Sequence, residues 1–293
     1  MNTLKREKNT IRILFLLPIF VLFIVFIVYS IYFCFRASLY DWNGVGPLAA
    51  DKFSGLRNWK NLVNDGEFWS AAKNNIKMIF ISILGQLPIG LLMALFIDHY
   101  GKRAKFFKIV WFLPYLMSSS TIGLLFSYLV NNYTGPIAGM LKTFFGIKMP
   151  SLLGNPQYAF SVVAAAVIWQ YVSFYMIYYL AGLSTIPVDL YEAAVIDGAT
   201  RIQYTFRCAI PMIAPTIRNA IVLQLIGSLK YFDLVYVMTE GAQKTELMAT
   251  YMYKMTFQST RMGYGSAIAA VMFLIITALA LITVKLLERR GED

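Results

Sequence analysis

The stretch YEAAVIDGATRIQYTFRCAIPMIAP, residues 191–215, places two carboxylates, two arginines and two prolines between two very apolar parts of the chain. We expect two short helices that meet at Gly198, because glycine permits a bend. Pro187 can start the first helix at its N1 position. Pro211 and Pro215 then interrupt the helical pattern where the chain enters the next apolar run. A solvated connecting loop is the alternative interpretation.

The composition indicates an integral membrane protein. Of 293 residues, 58% are hydrophobic and 14% are charged, whereas charged residues make up about 25% of soluble domains. Six apolar runs each approach the roughly 20 residues that a membrane-spanning helix needs. They cover about 12–35, 77–97, 108–130, 159–183, 216–238 and 264–287. The expected fold class is therefore all-α, with six transmembrane helices, and the first run is too long for the apolar core of a signal peptide.

The basic residues orient this topology. They are dispersed around the ends of the apolar runs, so the net charge of +11 indicates membrane flanks and not nucleic-acid binding. The densest short loop contains Lys102, Arg103, Lys105 and Lys108. The positive-inside rule makes that loop cytoplasmic. Both termini and residues 191–215 then lie in the cytoplasm as well.

Three segments are predicted along the chain. Residues 1–75 form an N-terminal tail, the first transmembrane helix and an external loop, residues 76–287 a transmembrane domain with a cytoplasmic loop at about 187–215, and residues 288–293 a cytoplasmic tail. The external loop carries Trp42, Trp59 and Trp69. These tryptophans suit either an element in the membrane interface or a docking surface for an external partner.

Catalytic constellations are missing from the sequence. The nearest imitation of a phosphate-binding motif, GAQKT at 241–245, lacks the Gly-Lys-Ser/Thr order. A single histidine, His99, and two cysteines on opposite membrane faces make a metal site improbable. We therefore expect no enzyme activity and no cofactor, and any uphill transport would draw on a partner or an ion gradient. For ion coupling the candidates are Lys230 and Asp233, which are three apart and able to pair on one helix face.

The polar stretch resembles the EAA loop of permease subunits of bacterial ABC importers. In the sugar-transporter branch this loop reads approximately E-A-A-x-x-D-G-A, with Phe seven residues later, Pro five further on and a second Pro after four more. The matching positions are Glu192, Ala193, Ala194, Asp197, Gly198, Ala199, Phe206, Pro211 and Pro215. Cys208 stands where Ile or Val is usual. We call residues 187–215 the EAA loop.

The resemblance covers nearly the whole chain. Residues 53–75, FSGLRNWKNLVNDGEFWSAAKNN, are similar to the segment ahead of the second helix in carbohydrate permeases, and residues 105–119, KFFKIVWFLPYLMSS, to the entry of the third. Residues 229–242, LKYFDLVYVMTEGA, resemble their F-D-x-x-x-x-x-T-x-G-G-P turn, but Ala242 and Gln243 replace the second Gly and the Pro. Within the branch, the chain resembles the maltose-type and glycerol-phosphate-type subunit.

The resemblance implies the type I ABC importer permease (MetI-like) fold in a bacterial plasma (inner) membrane. It also implies a heterodimer with a second homologous permease, two ATPase subunits that hydrolyse the ATP, and an extracytoplasmic solute-binding protein that delivers a sugar or oligosaccharide. In the EAA loop, Glu192 would contact a groove of the ATPase, Ala193 and Ala194 would give the close fit, and Gly198 the bend. The coupling residues implied are Glu192, Ala193, Ala194, Asp197, Gly198, Ala199, Phe206 and Pro211.

The solute path is expected in spans four and five, because uncharged polar groups at membrane depth are costly unless they face a cavity. In maltose-type permeases the site uses these two helices, and the resemblance carries it onto Gln170, Tyr171, Phe174, Gln224, Gly227, Ser228 and Tyr231. A neutral lining of aromatic and polar groups suits carbohydrate. Three alternatives stay open: the tyrosines and Gln224 only join helices, the solute is another polar molecule such as glycerol phosphate, or the protein is an ion-coupled secondary transporter.

Overall fold

The computed structural model describes residues 15–289, with side chains for residues 15–285. Within this part the regular elements are helices, and an isolated bridge pairs Tyr40 with Phe53. The prediction of an all-α fold is confirmed. The first residues of the first predicted span, 12–14, and the N-terminal tail lie outside the described residues, as does most of the predicted C-terminal tail.

Thirteen helices are numbered here in chain order through the described residues. They are α1 (Phe15–Ala37), α2 (Arg57–Val63), α3 (Gly66–Tyr100), α4 (Lys105–Leu116), α5 (Ser119–Leu129), α6 (Pro136–Phe145), α7 (Ala159–Leu183), α8 (Val188–Ile196), α9 (Arg201–Met212), α10 (Ala214–Ser228), α11 (Asp233–Thr239), α12 (Met248–Tyr253) and α13 (Met262–Arg289). Short 3₁₀ turns occupy Ala50–Lys52 and Gly101–Ala104.

The chain divides into two compact units. The first comprises the chain up to Gly66 together with Met252–Leu274. Inside it, the Asn58 amide donates to the carbonyl oxygens of Ser38 and Tyr40, at 2.9 Å each. The Trp59 ring nitrogen donates to the Ser38 hydroxyl at 3.0 Å. The tryptophan-rich loop after α1 is thus held in a defined conformation by a buried asparagine.

The second unit consists of Glu67–Tyr251 and the chain from Ile275 onward. One core cluster packs Val163 and Val167 of α7 against Val235 of α11. A second cluster joins the far end of α7 to α9 and α10 and includes Tyr179, Leu183, Tyr204, Ile213 and Ala220. Since apolar burial holds both ends of α7, this helix is the central element of the unit.

Within residues 15–289, four helical stretches are long and apolar enough to cross a membrane, by length and composition. They are Phe15–Ala37, Gly66–Leu116, Ala159–Leu183 and Met262–Lys285, and a fifth is added if the bent pair Arg201–Met212 and Ala214–Ser228 counts as one span. The stretch Gly66–Leu116 has 51 residues, far more than the roughly 20 that one crossing requires. It holds the second predicted span and the first half of the third, so the count of six spans stays a prediction.

Two predicted spans are interrupted, which the apolar pattern did not indicate. The run at 108–130 breaks at Met117 and Ser118, both with extended backbone, between α4 and α5. The run at 216–238 breaks between Ser228, where α10 ends, and Asp233, where α11 begins. Continuous apolar composition predicts membrane depth, but it does not report where backbone hydrogen bonding stops.

The turn after α11 adopts a conformation closed to proline. Gln243 has a φ of 55° and Lys244 a φ of 61°, whereas the proline ring fixes φ near −65°. The Asn74 amide of α3 donates to the carbonyl oxygens of Lys244 and Glu246, at 2.9 Å each. The departure from the G-G-P pattern thus accompanies a turn in which Gln243 takes the left-handed region.

Candidate solute cavity and EAA loop

A cavity of about 350 Å³ lies beside the break that follows α10. Its lining residues are Tyr115, Ser119, Tyr171, Phe174, Tyr175, Leu223, Gln224, Gly227, Lys230, Tyr231, Phe232, Asp233 and Leu234. Aromatic rings, hydroxyls and an amide therefore meet in one place. The volume is in the range of small-molecule pockets, about 300–1,000 Å³. We call it the solute cavity.

Five of the seven predicted path residues line this cavity: Tyr171, Phe174, Gln224, Gly227 and Tyr231. The resemblance placed Gln224, Gly227, Ser228 and Tyr231 together on one continuous fifth span. Because α10 ends at Ser228, the irregular chain after it brings Tyr231 to the cavity. These residues therefore meet because of a break in the helix, which a continuous span did not predict.

Gln170 and Ser228 are not among the lining residues, which corrects two of the predicted positions. The buried Gln170 amide donates to the Met117 carbonyl at 3.3 Å and to the Ser119 hydroxyl at 3.1 Å. It binds the interruption between α4 and α5, where a carbonyl has no helical partner. The Ser228 hydroxyl is fully buried and donates to the Leu225 carbonyl of its own helix at 3.0 Å.

The interruption between α4 and α5 supplies two lining residues that sequence reasoning missed. The Tyr115 ring lies 5.3 Å from the Phe174 ring, centroid to centroid. The hydroxyl oxygens of Ser119 and Tyr171 are 3.3 Å apart and share a hydrogen bond. The available signal was Pro114 followed by three serines in an apolar run, which marks a weak point in a helix.

Two buried amides hold the Tyr231 hydroxyl. Gln86 of α3 and Gln224 of α10 each donate from Nε2 to the phenol oxygen, at 3.2 Å. The Tyr171 ring lies 5.3 Å from the Tyr231 ring. Gln86 was not predicted, because a single amide in an apolar run has no spacing pattern. The burial of this amide among apolar helices, seen in the structure, is what indicates a role for Gln86.

Lys230 and Asp233 do not form the predicted pair on one helix face. The chain between them is not helical, since Lys230 lies in the break and Asp233 is the first residue of α11. Among the described ion pairs, none joins these two side chains within 4.0 Å. Both residues line the solute cavity and are exposed.

The EAA loop consists of two short helices that meet at a glycine, as the sequence indicates. Helix α8 is followed by Gly198 at a φ of 78°. Thr200 then caps α9: its hydroxyl accepts from the Gln203 backbone at 3.3 Å, and the Gln203 side chain accepts from the Thr200 backbone at 2.7 Å. Pro187 is the N-cap of α8 and Val188 the first helical residue, one position later than predicted.

The two prolines act where the sequence places them. Thr205–Ala209 forms a π-helical turn immediately before Pro211, which lacks the N–H that a regular turn would use. Pro215 is the second residue of α10, and the axes of α9 and α10 differ by 64°. The chain therefore bends at the end of the EAA loop without leaving a helical path for more than one residue.

Helix α8 has an inner and an outer face. Tyr191 and Ala194 pack against the second core cluster. Ala193 and Glu192 are exposed, and Ile196 is 85% exposed. Ala194 therefore belongs to the inner face, which differs from the expected role of both alanines in a close fit to a partner. Asp197, Gly198 and Phe206 are exposed, and Ala199 is half-buried.

A small cluster ties the EAA loop to the end of α3, and sequence reasoning missed it. Arg201 approaches the Asp98 carboxylate at 3.5 Å. The same guanidinium lies 4.9 Å above the centre of the Tyr191 ring, within the range of cation–π attraction. Tyr191 in turn contacts the Tyr204 ring, with centroids 5.0 Å apart. The inner face of α8 is thus fixed to α3 and α9.

The cavity lined by aromatic and polar groups, the membrane-length helices and the exposed helical loop together suit a membrane permease. The family described as binding-protein-dependent transport system inner membrane component matches residues 86–292, and the chain belongs to this family. A probable ABC transporter permease of Pyrococcus horikoshii is 32% identical over 276 residues, which are 92% of this chain and 92% of that protein. A multiple sugar-binding transport system permease of Streptococcus mutans is 30% identical over 260 residues, which are 87% of this chain and 88% of that protein.

A solved structure supports the same class. The chain is similar to a bacterial alginate ABC transporter, crystallised in complex with a periplasmic protein that holds an alginate pentasaccharide. The TM-score is 0.82 at 25% identity, over 94% of this chain and 93% of that chain. The fold is therefore the type I ABC importer permease (MetI-like) fold, and the chain is a multi-pass membrane protein.

Proposed function

We propose that this chain forms the membrane path of an ATP-driven importer for a sugar or oligosaccharide and is coupled to an ATPase subunit through its EAA loop. The observation that carries the proposal is the lining of the solute cavity. Its rings and hydroxyls face one space of about 350 Å³. The names of relatives add support, since the Streptococcus mutans permease serves multiple sugars and the solved transporter carries alginate.

The chemistry of the cavity suits a saccharide. Tyr171 and Phe174 offer ring faces against which the C–H faces of a sugar ring can stack. Gln224, Ser119 and Tyr231 offer amide and hydroxyl groups that match sugar hydroxyls. A few placed polar groups on an otherwise apolar wall are typical of small-molecule sites.

Glycerol phosphate is the less suitable solute. Phosphate sites in proteins use several cationic or N–H donors around the anion. The solute cavity has one lysine, Lys230, and the carboxylate of Asp233 lines the same space. The carboxylate opposes a compact, doubly charged phosphate, so the lining suits a saccharide, with at most one charge per ring, better than glycerol phosphate.

The EAA loop supplies a surface for an ATPase subunit. Val195 and Ile196 are 51% and 85% exposed on the outer face of α8, and exposed apolar side chains next to a carboxylate are typical of an interface. Glu192 would make the charged contact, Ala193 the close fit, and Gly198 the bend. Asp197, Gly198 and Ala199 also line a second cavity of about 360 Å³, together with Arg207. This cavity gives a side chain of a partner room to enter.

The remaining partners follow from the importer class. A second homologous permease would complete a heterodimer, two ATPase subunits would hydrolyse ATP, and an extracytoplasmic binding protein would deliver the solute. Both termini and the EAA loop would face the cytoplasm, on the side of the basic loop at 101–108. In this proposal the permease itself catalyses no reaction.

The test is reconstitution of the complete complex, with its second permease, ATPase and binding protein, in liposomes. We expect uptake of at least one of maltotriose, arabinotriose and an alginate trisaccharide, and we expect it to require ATP. Glu192→Lys should reduce uptake and ATPase retention strongly, because it reverses the charge on the outer face of α8. Asp189→Lys is the matched control, since it makes the same charge change on α8 outside the EAA motif.

Two results would overturn the proposal. Uptake by the permease in liposomes without ATP would indicate an ion-coupled transporter, with Lys230 and Asp233 as its candidates. Equal uptake and equal ATPase retention in Glu192→Lys and the wild type would remove the EAA loop from the coupling interface.

A further inference from the structure

The Tyr231 hydroxyl lies at the junction of three helical segments in the second unit. Gln86 of α3 is fully buried and Gln224 of α10 is 1% exposed. Both amides donate to the phenol oxygen, at 3.2 Å each. Tyr231 itself is 9% exposed and lines the solute cavity. Gln86 therefore touches the cavity only through Tyr231.

The polar groups around the Tyr231 hydroxyl restrict how its side chain can move. A phenol oxygen both accepts hydrogen bonds and donates one proton. Two amide N–H groups occupy the oxygen, and the fully buried Ser82 of α3 lies beside the same hydroxyl. The Tyr231 ring is therefore held from its buried end, and the rest of the side chain lines the solute cavity.

Among the described contacts, the hydrogen bond to Tyr231 is the one that the Gln86 side chain makes. Its carbonyl oxygen, Oε1, is buried and has no hydrogen-bond partner. An unpaired buried polar atom costs free energy, and a polar side chain at membrane depth is by default a functional candidate. The bond to Tyr231 is the one contact that explains a glutamine at this position.

We propose that Gln86 is a specificity-determining positioning residue of the solute cavity: with Gln224 it holds the Tyr231 side chain in the position in which it lines the cavity. This inference rests on the proposed function. It adds a residue of α3 to the residues that shape the cavity, beyond the two helices expected from the sequence. Gln86 acts on the solute through Tyr231 and not by contact.

A double-mutant cycle tests this claim in the reconstituted complex, with whichever of maltotriose, arabinotriose and alginate trisaccharide the wild type imports. Gln86→Met keeps the side-chain length and removes the donor, and we expect it to lower kcat/KM for uptake about 5-fold, the effect of one lost hydrogen bond. Tyr231→Phe should lower it at least as much. The double variant should be no worse than Tyr231→Phe alone, because Gln86 has nothing left to position.

Asn74→Leu is the matched control. It removes a buried amide of the same helix, α3, but Asn74 donates to the Lys244 and Glu246 carbonyls and not to Tyr231 or its neighbours. Its effect should therefore multiply with that of Tyr231→Phe. Multiplying effects for Gln86→Met and Tyr231→Phe, or wild-type uptake by Gln86→Met, would overturn the inference.

A second measurement works even where a variant transports poorly. The full-length permease carries 3-fluorotyrosine at position 231, and its ¹⁹F resonance is recorded in detergent. Gln86→Met should shift the resonance and Asn74→Leu should leave it in place; an unshifted signal in Gln86→Met contradicts the inference. If the wild type imports none of the three saccharides, the proposed carbohydrate function fails, and the ¹⁹F result still decides whether Gln86 holds Tyr231.

Discussion

The solute cavity and the EAA loop use the same kinds of residue in different ways. In the cavity the polar atoms bind each other within one chain: the Tyr231 hydroxyl accepts from two amides at 3.2 Å, and Ser119 shares a hydrogen bond with Tyr171. On α8 only the inner face is bound by its own chain, while Ile196 remains 85% exposed on the outer face. In the proposed function, the exposed face of α8 is the surface left for an ATPase subunit.

The difference extends to the glycines. Gly198 has a φ of 78°, and a Cβ placed on it would meet no atom within 4 Å. Its requirement is conformational, since L-residues with side chains rarely adopt this region. Gly90 has ordinary helical backbone, but a Cβ there would lie 2.9 Å from the Tyr175 Cβ. Gly198 is therefore required for its left-handed backbone conformation, and Gly90 for the space that the Tyr175 side chain occupies.

The largest expected effect comes from Gly198→Pro. Proline fixes φ near −65° and cannot take the left-handed conformation between α8 and α9. The two helices should lose their relative orientation, and ATP-dependent uptake should fall to background while the protein remains in the membrane. Uptake and co-purification of the ATPase are the measurements. Wild-type values for both would mean that the shape of this turn is not needed for coupling.

A smaller effect is expected from Gly90→Ala, which adds a methyl group against Tyr175 in the cavity wall. Overpacking of this kind costs about 1–3 kcal/mol, so we expect a lower melting temperature in detergent and reduced uptake. Gly227→Ala is the control, because a Cβ there meets no atom within 4 Å. It should not lower the melting temperature, although its methyl group enters the solute cavity. Equal melting temperatures for Gly90→Ala and the wild type would contradict the packing argument.

The sequence predicted the EAA loop more completely than the cavity. Glycine and proline each have a strong local preference, so their order predicts two helices with a bend. The sequence did not indicate which side of α8 is buried, because tertiary contacts decide this for a short helix; Tyr191 and Ala194 pack toward the core. The cluster of Asp98 with Arg201 joins residues 103 positions apart, which no local pattern reports.

For the cavity, aromatic and polar composition identified five lining residues, but their geometry depends on helix breaks. Apolar composition is the same on both sides of Met117 and around Lys230, so hydropathy predicts continuous spans there. The break at Met117 brings in Ser119, and the break at Lys230 carries Tyr231 to the wall. Gln86 comes from a third helix, and its role is visible only through a contact across 145 positions.

The central claim is that the outer face of α8 binds an ATPase subunit while its inner face is already occupied. Ala193→Cys and Ala194→Cys test it as a matched pair, in a chain whose Cys34 and Cys208 are replaced by serine. The measurement is the rate of maleimide labelling of the full-length permease with and without the ATPase subunits. We predict fast labelling at position 193 that the ATPase subunits suppress, and slow labelling at position 194 that they do not change. Fast labelling at position 193 in the assembled complex would contradict the account.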